Sequence, residues 1–231
     1  MKNTGKREKA IWILGLLGAL VMIYNLHSVF IKLPDDALQG GVYRIIFVHV
    51  PAALNADLFY TVALITSVLF LWKKNFVYDS ISVSCIEVGT MLVLVNLVTG
   101  SIWGKSQWGI WWAWDLRMTT QLMCFLLYLG YLVVRPAINE PTQRATISAF
   151  ISIFAYVDIP LVFMAIRLPN VRTQHPSAVL ETGQFAPVYW GAFGIGVLAL
   201  LLIGTALVLV RLHQETSQRE IDSLRRELHA L

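Results

Sequence analysis

Six apolar stretches, each about 20 residues long, constrain the fold of this chain more than any other feature. A stretch of that length crosses the hydrocarbon core of a bilayer, about 30 Å thick, as an α-helix. The stretches are continuous runs of Leu, Ile, Val and Phe, whereas the strands of a membrane barrel alternate over about ten residues. The sequence therefore predicts an all-α integral membrane protein with spans near 11–31, 45–71, 80–101, 118–134, 145–166 and 188–210.

Composition and length support this class. Hydrophobic residues make up 57% of the chain and charged residues only 14%, whereas a soluble domain carries about 25% charged residues. Six helices use most of the 231 residues, which leaves no room for a separate soluble domain. The first stretch is too long for a signal-peptide core and lacks a small-residue cleavage site, so we expect a retained anchor.

The distribution of Lys and Arg predicts the orientation. Twelve of the 18 basic residues fall on the side that holds the N-terminus, the loops 72–79 and 135–144, and the C-terminal tail. Six fall on the opposite side, which has the longer loops 32–44, 102–117 and 167–187. The positive-inside rule then places both termini in the cytoplasm and the longer loops outside.

The polar C-terminus is expected to be separate from the membrane domain. Residues 1–210 hold the six spans, and residues 211–231 form an amphipathic tail. Four apolar residues of the tail follow helical three-four spacing: Ile221, Leu224, Leu228 and Leu231. We expect a surface helix that lies along the membrane or against the protein's own loops, with a docking helix for a cytoplasmic partner as the alternative.

Few residues within the spans suggest chemistry. The two cysteines, Cys85 and Cys124, lie in predicted helices outside any CxxC pattern and are interpreted as structural thiols. Polar residues inside spans are expected to form interhelical hydrogen bonds, with Asp158 the strongest functional candidate; they are Asn55, Asp57, Glu87, Asn96 and Asp158. A phosphate-binding GxxxxGK[ST] loop is absent, so any use of ATP belongs to a partner.

The segment 103–115, WGKSQWGIWWAWD, concentrates five of the eight tryptophans and is followed by Arg117. An aromatic belt at the membrane interface accounts for one or two tryptophans per helix end, so this cluster points to a flat aromatic ligand. If 108–118 is helical, one face would carry a platform of indoles bordered by a carboxylate: Trp108, Trp111, Trp112 and Asp115.

Predicted topology divides the five histidines into two groups. His213 and His229 lie in the cytoplasmic tail, and the other three lie near the outer surface with the tryptophans. His27 ends the first helix and is interpreted as interfacial. His49 lies about one turn inside the second helix, and His175 lies in the last outward loop. A ligand covered by the tryptophan segment would use His49 and His175.

Two histidines, several indoles and nearby cations match the requirements of haem. Histidine nitrogens are axial ligands of haem iron, and a porphyrin stacks on aromatic rings. The propionates would accept hydrogen bonds from cationic side chains at this face, for which the candidates are Arg44, Lys105, Arg117 and Arg172. Zinc or copper would also use two histidines but would leave the tryptophans unexplained.

The motif WGIWWAWD resembles the tryptophan-rich WWD signature of haem-handling proteins in cytochrome c biogenesis, here at about 102–118. The layout around it is similar to the CcmC family, the haem exporter protein C group. FVHVPAA lies in the second helix, DIP in the fifth, and RTQHP in the last outward loop. Aromatic residues expected before the second histidine are replaced by LPNVRTQHP.

This resemblance implies a haem b site at the outer face of the bacterial inner membrane. Its axial ligands would be His49 and His175, with Arg117 at the border of a platform made by Trp108, Gly109, Trp111, Trp112, Trp114 and Asp115. The implied partners are a periplasmic haem chaperone, CcmE, ATPase and permease subunits, CcmA and CcmB, and a small membrane subunit, CcmD. The protein would bind and transfer haem rather than catalyse a reaction, although it would assist covalent capture by the chaperone.

Three alternatives remain open from the sequence. A permease component of an ABC-type haem exporter would favour histidines along a path from the cytoplasm, but His213 and His229 lie in the polar tail. A haem lyase of the WWD superfamily would favour a larger chain with more histidines. A carbohydrate- or lipid-binding membrane protein would use the tryptophans and leave His49 and His175 unexplained.

Overall fold

The protein is helical throughout the residues described by the computed structural model, which are 4–168, 175 and 185–229. Within them, six helical segments are long and apolar enough to cross a membrane, and no β-strand is present. The predicted all-α, six-span fold is therefore confirmed. The α-helices are α1 (Thr4–His27), α2 (Ile46–Lys73), α3 (Phe76–Trp108), α4 (Leu116–Val134), α5 (Pro141–Tyr156), α6 (Asp158–Met164) and α7 (Trp190–His229).

Helices α2 and α3 form an antiparallel hairpin because two residues between them stop one helix and start the next. Lys74 ends α2 in the left-handed conformation, with φ of 53°. The side chain of Asn75 then caps α3 by accepting a hydrogen bond from the backbone N–H of Val77 at 2.9 Å. This tight turn holds the two helices side by side along their length.

The centre of the bundle is built on a stacked pair of tyrosines from α2 and α4. The rings of Tyr60 and Tyr128 lie 3.7 Å apart between centroids, at 6° to each other. A Cβ at Gly89 of α3 would lie 2.8 Å from the Tyr60 ring. Glycine therefore lets α3 approach this ring closely, as small residues do between membrane helices.

Pro51 interrupts the hydrogen bonding of α2, and the buried amide of Asn55, one turn later, bridges α2 to α7. Proline has no N–H to donate to the preceding turn. The side chain of Asn55 donates to the carbonyl of Pro51 at 2.9 Å and to the carbonyl of Val197, on α7, at 3.2 Å. Asn55 therefore stabilises both the proline-containing turn and the contact between α2 and α7.

The fifth predicted span consists of two helices rather than one. Helix α5 ends at Tyr156, and α6 begins at Asp158 with Pro160 in its first turn. Pro160 cannot donate to the carbonyl of Tyr156, which explains why the chain breaks at Val157. The DIP motif therefore begins a short helix of its own, α6.

One long helix, α7, extends well past residue 210. At this end of the bundle, called the termini end because α1 begins and α7 finishes there, Arg219 donates to Ser80 at 2.9 Å and Arg7 to Thr216 at 3.4 Å. The polar part of α7 is thus held against the starts of α3 and α1. Three apolar residues beyond it are exposed: Ile221, Leu224 and Leu228.

Candidate functional site

A cavity of about 40 Å³ lies at the opposite end of the bundle, called the loop end because it carries the 28–45 and 109–115 connections. Helices α2, α3 and α4, the 109–115 loop and His175 form its walls. Its lining residues are His49, Asn96, Leu97, Gly100, Trp103, Trp108, Trp112, Arg117, Met118, Gln121 and His175. The two histidines predicted from the sequence therefore meet at one cavity, together with three indoles.

The prediction of a helix over 108–118 is wrong, because three residues stop and restart the helices in this stretch. Gly109 adopts φ of 77° and ends α3, with its N–H donating to the carbonyl of Lys105 at 3.1 Å. Trp114 has φ of 53°, which is rare for a bulky residue. Asp115 then caps α4 by accepting from the backbone N–H of Met118 at 2.8 Å.

This loop divides the tryptophans instead of aligning them on one face. Trp108 and Trp112 line the cavity, whereas the side chains of Trp111 and Trp114 are 58% and 70% exposed. Trp103 joins the cavity-lining pair, because its ring packs edge-on against that of Trp108 with centroids 4.8 Å apart. Of the predicted platform, Gly109 and Asp115 shape the backbone, and two indoles face the cavity.

Hydrogen bonds hold the outer members of the aromatic wall in place. The indole Nε1 of Trp103 donates to the side-chain oxygen of Gln39 at 2.8 Å. The hydroxyl of Ser101 donates to the carbonyl of Trp111 at 2.9 Å, which ties the loop to α3. A Cβ at Gly104 would lie 3.3 Å from the Trp108 ring, so glycine at this position lets Trp108 fold back onto its own helix.

Among the three described cationic residues that were considered as propionate partners, only Arg117 lines the cavity. Arg44 donates to the carbonyls of Val29 at 2.8 Å and Leu33 at 3.0 Å and pairs with Asp35, so it holds the 28–45 connection. Lys105 donates to the carbonyl of Gly109 at 2.8 Å. The fourth candidate, Arg172, lies outside the described residues.

Two polar groups at the cavity can still serve a ligand. Arg117 directs one N–H group at the carbonyl of Val162, 2.8 Å away, but a guanidinium has five N–H donors. The indole Nε1 of Trp112 is buried and has no hydrogen-bond partner among the described residues. A buried donor that lacks an acceptor costs stability, so this N–H is suited to a ligand with an acceptor oxygen.

Several cavity residues were not predicted as site residues. Asn96, Gly100 and Trp103 lie on one face of α3 at four- and three-residue spacing, and Gln121 lies one turn after the predicted Arg117 on the same face of α4. The helical spacing was readable from the sequence. The pairing of these faces with His49 was not, because it depends on how the helices are rotated against each other.

The fold and the site together define a class of protein. It is a polytopic helical membrane protein with a cavity at one end that is lined by histidine and tryptophan. The chain matches the family model described as CcmC, Heme exporter protein C, over residues 4–227, and it belongs to that family. The resemblance inferred from the WWD motif is therefore confirmed. The chain is a multi-pass protein of the bacterial inner membrane.

Three relatives named Heme exporter protein C cover most of the chain. That of Paracoccus denitrificans is 33% identical over 194 residues, which cover 83% of this chain and 80% of the relative. That of Rhodobacter capsulatus is 29% identical over 208 residues, 89% of this chain and 86% of the relative. That of Escherichia coli K12 is 27% identical over 183 residues, 78% of this chain and 72% of the relative.

Proposed function

We propose that this protein binds haem b in the cavity at the loop end and delivers it to a periplasmic haem chaperone. As a member of the Heme exporter protein C family, the chain has a role in handling haem for cytochrome c maturation, a transport role rather than a catalytic one. The positive-inside rule supports an orientation in which the loop end faces the periplasm and both termini face the cytoplasm.

The observation that carries the proposal is the meeting of His49 and His175 with three indoles and Arg117 at one cavity. Two imidazoles can bind the two axial positions of haem iron. Trp103, Trp108 and Trp112 offer ring faces and edges to the porphyrin. A metal ion alone would use the histidines, but it would have no need of the indoles.

The polar groups of the cavity fit the propionates. The guanidinium of Arg117 can pair with a carboxylate through two parallel hydrogen bonds. The unpartnered Nε1 of Trp112 supplies a further donor at the same wall. These two donors support a pose in which the propionates meet Arg117 of α4 and Trp112 of the loop, with the apolar edge of the porphyrin towards the tryptophans of α3.

Haem would lie at the mouth of the cavity rather than inside it. A pocket that encloses a small molecule has a volume of about 300–1,000 Å³, far above the 40 Å³ of this cavity. Most of the porphyrin would therefore lie outside the cavity, beside the exposed rings of Trp111 and Trp114. Such a site holds haem at the surface, where a chaperone can reach it.

Delivery follows from ligand exchange at the iron. His175 lies on the loop side and His49 within a helix, so His175 is the ligand that leaves when the chaperone approaches. A CcmE-like chaperone would receive the haem. The proposed complex also contains CcmA- and CcmB-like ATPase and permease subunits and a CcmD-like small subunit.

The test is the absorption spectrum of the protein purified from haem-replete cells. The wild type should show a Soret band, and His49→Ala and His175→Ala should each lose haem or shift the band. His27→Ala is the matched control, because His27 is exposed at the end of α1 and lies outside the cavity. A wild type without haem contradicts the function, and unchanged spectra in both cavity variants contradict the ligand assignment.

A second measurement tests delivery. Haem-loaded protein is mixed with the soluble domain of a CcmE-like chaperone in its haem-free form, and the transfer of haem is followed by the change in absorption. His175→Ala should transfer faster than the wild type, because the ligand that leaves is already gone. Retention of haem by the wild type in the presence of excess chaperone would contradict direct delivery.

A further inference from the structure

Three residues on one face of helix α3 lie next to the His49 imidazole. The hydroxyl of Thr99 lies 3.1 Å from Nδ1, and the side-chain amide of Asn96 lies beside the ring. A Cβ at Gly100 would lie 2.8 Å from the ring carbon Cε1, so only glycine leaves room for the imidazole here. The ring position is therefore set by α3 as well as by α2, to which His49 belongs.

The hydrogen of the Thr99 hydroxyl is already in use. Its Oγ1 lies 2.7 Å from the carbonyl oxygen of Val95 and 3.1 Å from that of Asn96, and it donates to them. A hydroxyl has one hydrogen and two acceptor lone pairs. Towards His49 the Thr99 oxygen can therefore only accept, and Nδ1 must carry the hydrogen that it accepts.

The amide of Asn96 is compatible with the same protonation state. Its Nδ2 donates to the backbone carbonyl of His49 at 3.0 Å, which fixes the nitrogen rather than the oxygen of the amide on this side. An amide nitrogen can only donate. Nδ2 lies 3.3 Å from Nδ1 and 3.2 Å from Nε2, so with Nδ1 protonated it can donate its second hydrogen to Nε2, a hydrogen bond that iron would replace.

We propose that Thr99 is a positioning residue that fixes His49 as the Nδ1–H tautomer, presents Nε2 to iron, and keeps this histidine a ligand of moderate strength. The partner of the second ring nitrogen decides which nitrogen binds a metal, and it tunes the basicity of the ligand. A carboxylate partner makes the imidazole a stronger donor to iron than a hydroxyl does. Compared with a carboxylate partner, Thr99 therefore favours haem release over haem retention, an inference that rests on the proposed haem site.

The tautomer can be measured without haem. Protein labelled with ¹⁵N only at histidine is examined by two-bond ¹H–¹⁵N NMR, and His49→Ala identifies the signals of His49. The expected spectrum shows a protonated Nδ1 and an unprotonated Nε2 in the wild type and in Thr99→Ser. Thr99→Val removes the acceptor at nearly constant volume and should populate the other tautomer. A wild-type His49 protonated at Nε2 would overturn the inference.

Haem binding supplies the second readout. Thr99→Val should weaken haem binding about tenfold or more, as removal of the partner of a metal-bound histidine does, while Thr99→Ser should bind like the wild type. Thr99→Asp should lower the midpoint potential of the iron and slow the transfer of haem to apomyoglobin, the probe used as a haem acceptor. In a His49→Ala background none of these substitutions should have a further effect.

The outcomes separate this inference from the proposed function. If the wild type binds haem through His49 but Thr99→Val changes neither affinity, potential nor tautomer, Thr99 has no positioning role and the haem site stands. If the wild type binds no haem, the proposed function fails, and the NMR experiment still decides the tautomer. Thr99→Ser keeps both tests informative if Thr99→Val does not fold.

Discussion

The two ends of the bundle use charged and polar side chains in opposite ways. At the termini end, Asp79 is 2% exposed and accepts hydrogen bonds from Arg135 at 2.9 and 2.7 Å. Arg219 also pairs with Asp79, and Glu215 lies 3.1 Å from Arg135 and 3.0 Å from Arg219. At the loop end, Arg117 and the indole N–H of Trp112 line a cavity.

The difference separates stability from function. The network at the termini end pairs its charged groups with one another, and it joins the start of α3 and the α4–α5 connection to the polar part of α7. At the loop end, the indole N–H of Trp112 has no acceptor among the described residues and lies beside the two histidines. A buried polar group of this kind is a candidate for contact with a ligand.

The largest expected effect comes from breaking the network at the termini end. Arg135→Met removes the bidentate partner of Asp79 and leaves a carboxylate buried with its charge incompletely compensated. Loss of one partner from a buried pair costs about 3–5 kcal/mol. The free energy of unfolding in detergent micelles, measured by denaturant titration with far-UV circular dichroism, should fall by this amount. A variant as stable as the wild type would remove the distinction between the two ends.

The matched change at the loop end should affect binding instead. Arg117→Met should lower the free energy of unfolding less than Arg135→Met does, and it should weaken haem binding by about 1.5–3 kcal/mol, the value of a hydrogen bond to a charged group. Haem dimethyl ester, which lacks the propionate charges, is the control ligand. The wild type and the variant should bind the ester alike. An equal loss of affinity for haem and ester would argue against a propionate site at Arg117.

A smaller effect is expected from the unpartnered indole. Trp112→Phe keeps an aromatic ring in the cavity wall and removes Nε1–H, so haem binding should weaken by about 1 kcal/mol, that is, about fivefold. The exposed Trp12 of α1 provides the matched control, because Trp12→Phe changes an indole outside the cavity and outside the tryptophan loop. Fluorescence quenching by added haem measures both affinities. Equal affinities in the two variants would show that the N–H of Trp112 does not contact the ligand.

The spans and the position of the site were predictable from the sequence, and the reasons are physical. A helix must be apolar for about 20 residues to cross a bilayer, so hydropathy locates spans without knowledge of their packing. The number of spans that precede each histidine then assigns it to one side of the membrane. His49 and His175 could therefore be paired with the tryptophans before any contact between them was known.

The shape of the site could not be predicted in the same way. Whether 108–118 continues as a helix depends on the backbone of Gly109 and Trp114, and a left-handed tryptophan is not a feature that sequence patterns indicate. The contact of Gly100 with His49 depends on the rotation of α3 against α2. Arg135 was counted only as a topology signal, because its buried partner lies 56 residues away in the chain.

The smallest expected effect concerns Glu140, whose charge is exposed at the termini end. Hydrogen bonds to an exposed charge contribute less to stability than those of the buried network. Glu140 caps α5 by accepting hydrogen bonds from the backbone N–H of Thr142, at 2.8 Å, and of Gln143, and these bonds lower the pKa of its carboxyl group. A carboxyl group with a lowered pKa stabilises the folded state above its ordinary pKa, and this contribution is lost as the pH falls through the lowered value. Glu140→Gln should therefore melt slightly below the wild type at neutral pH, and the difference should shrink at about pH 3, below the ordinary glutamate pKa.

Glu140→Asp, which retains a capping carboxylate, should melt close to the wild type at neutral pH. A difference between Glu140→Gln and the wild type that does not change with pH would mean that the capping geometry, and not the charge, accounts for the stabilisation.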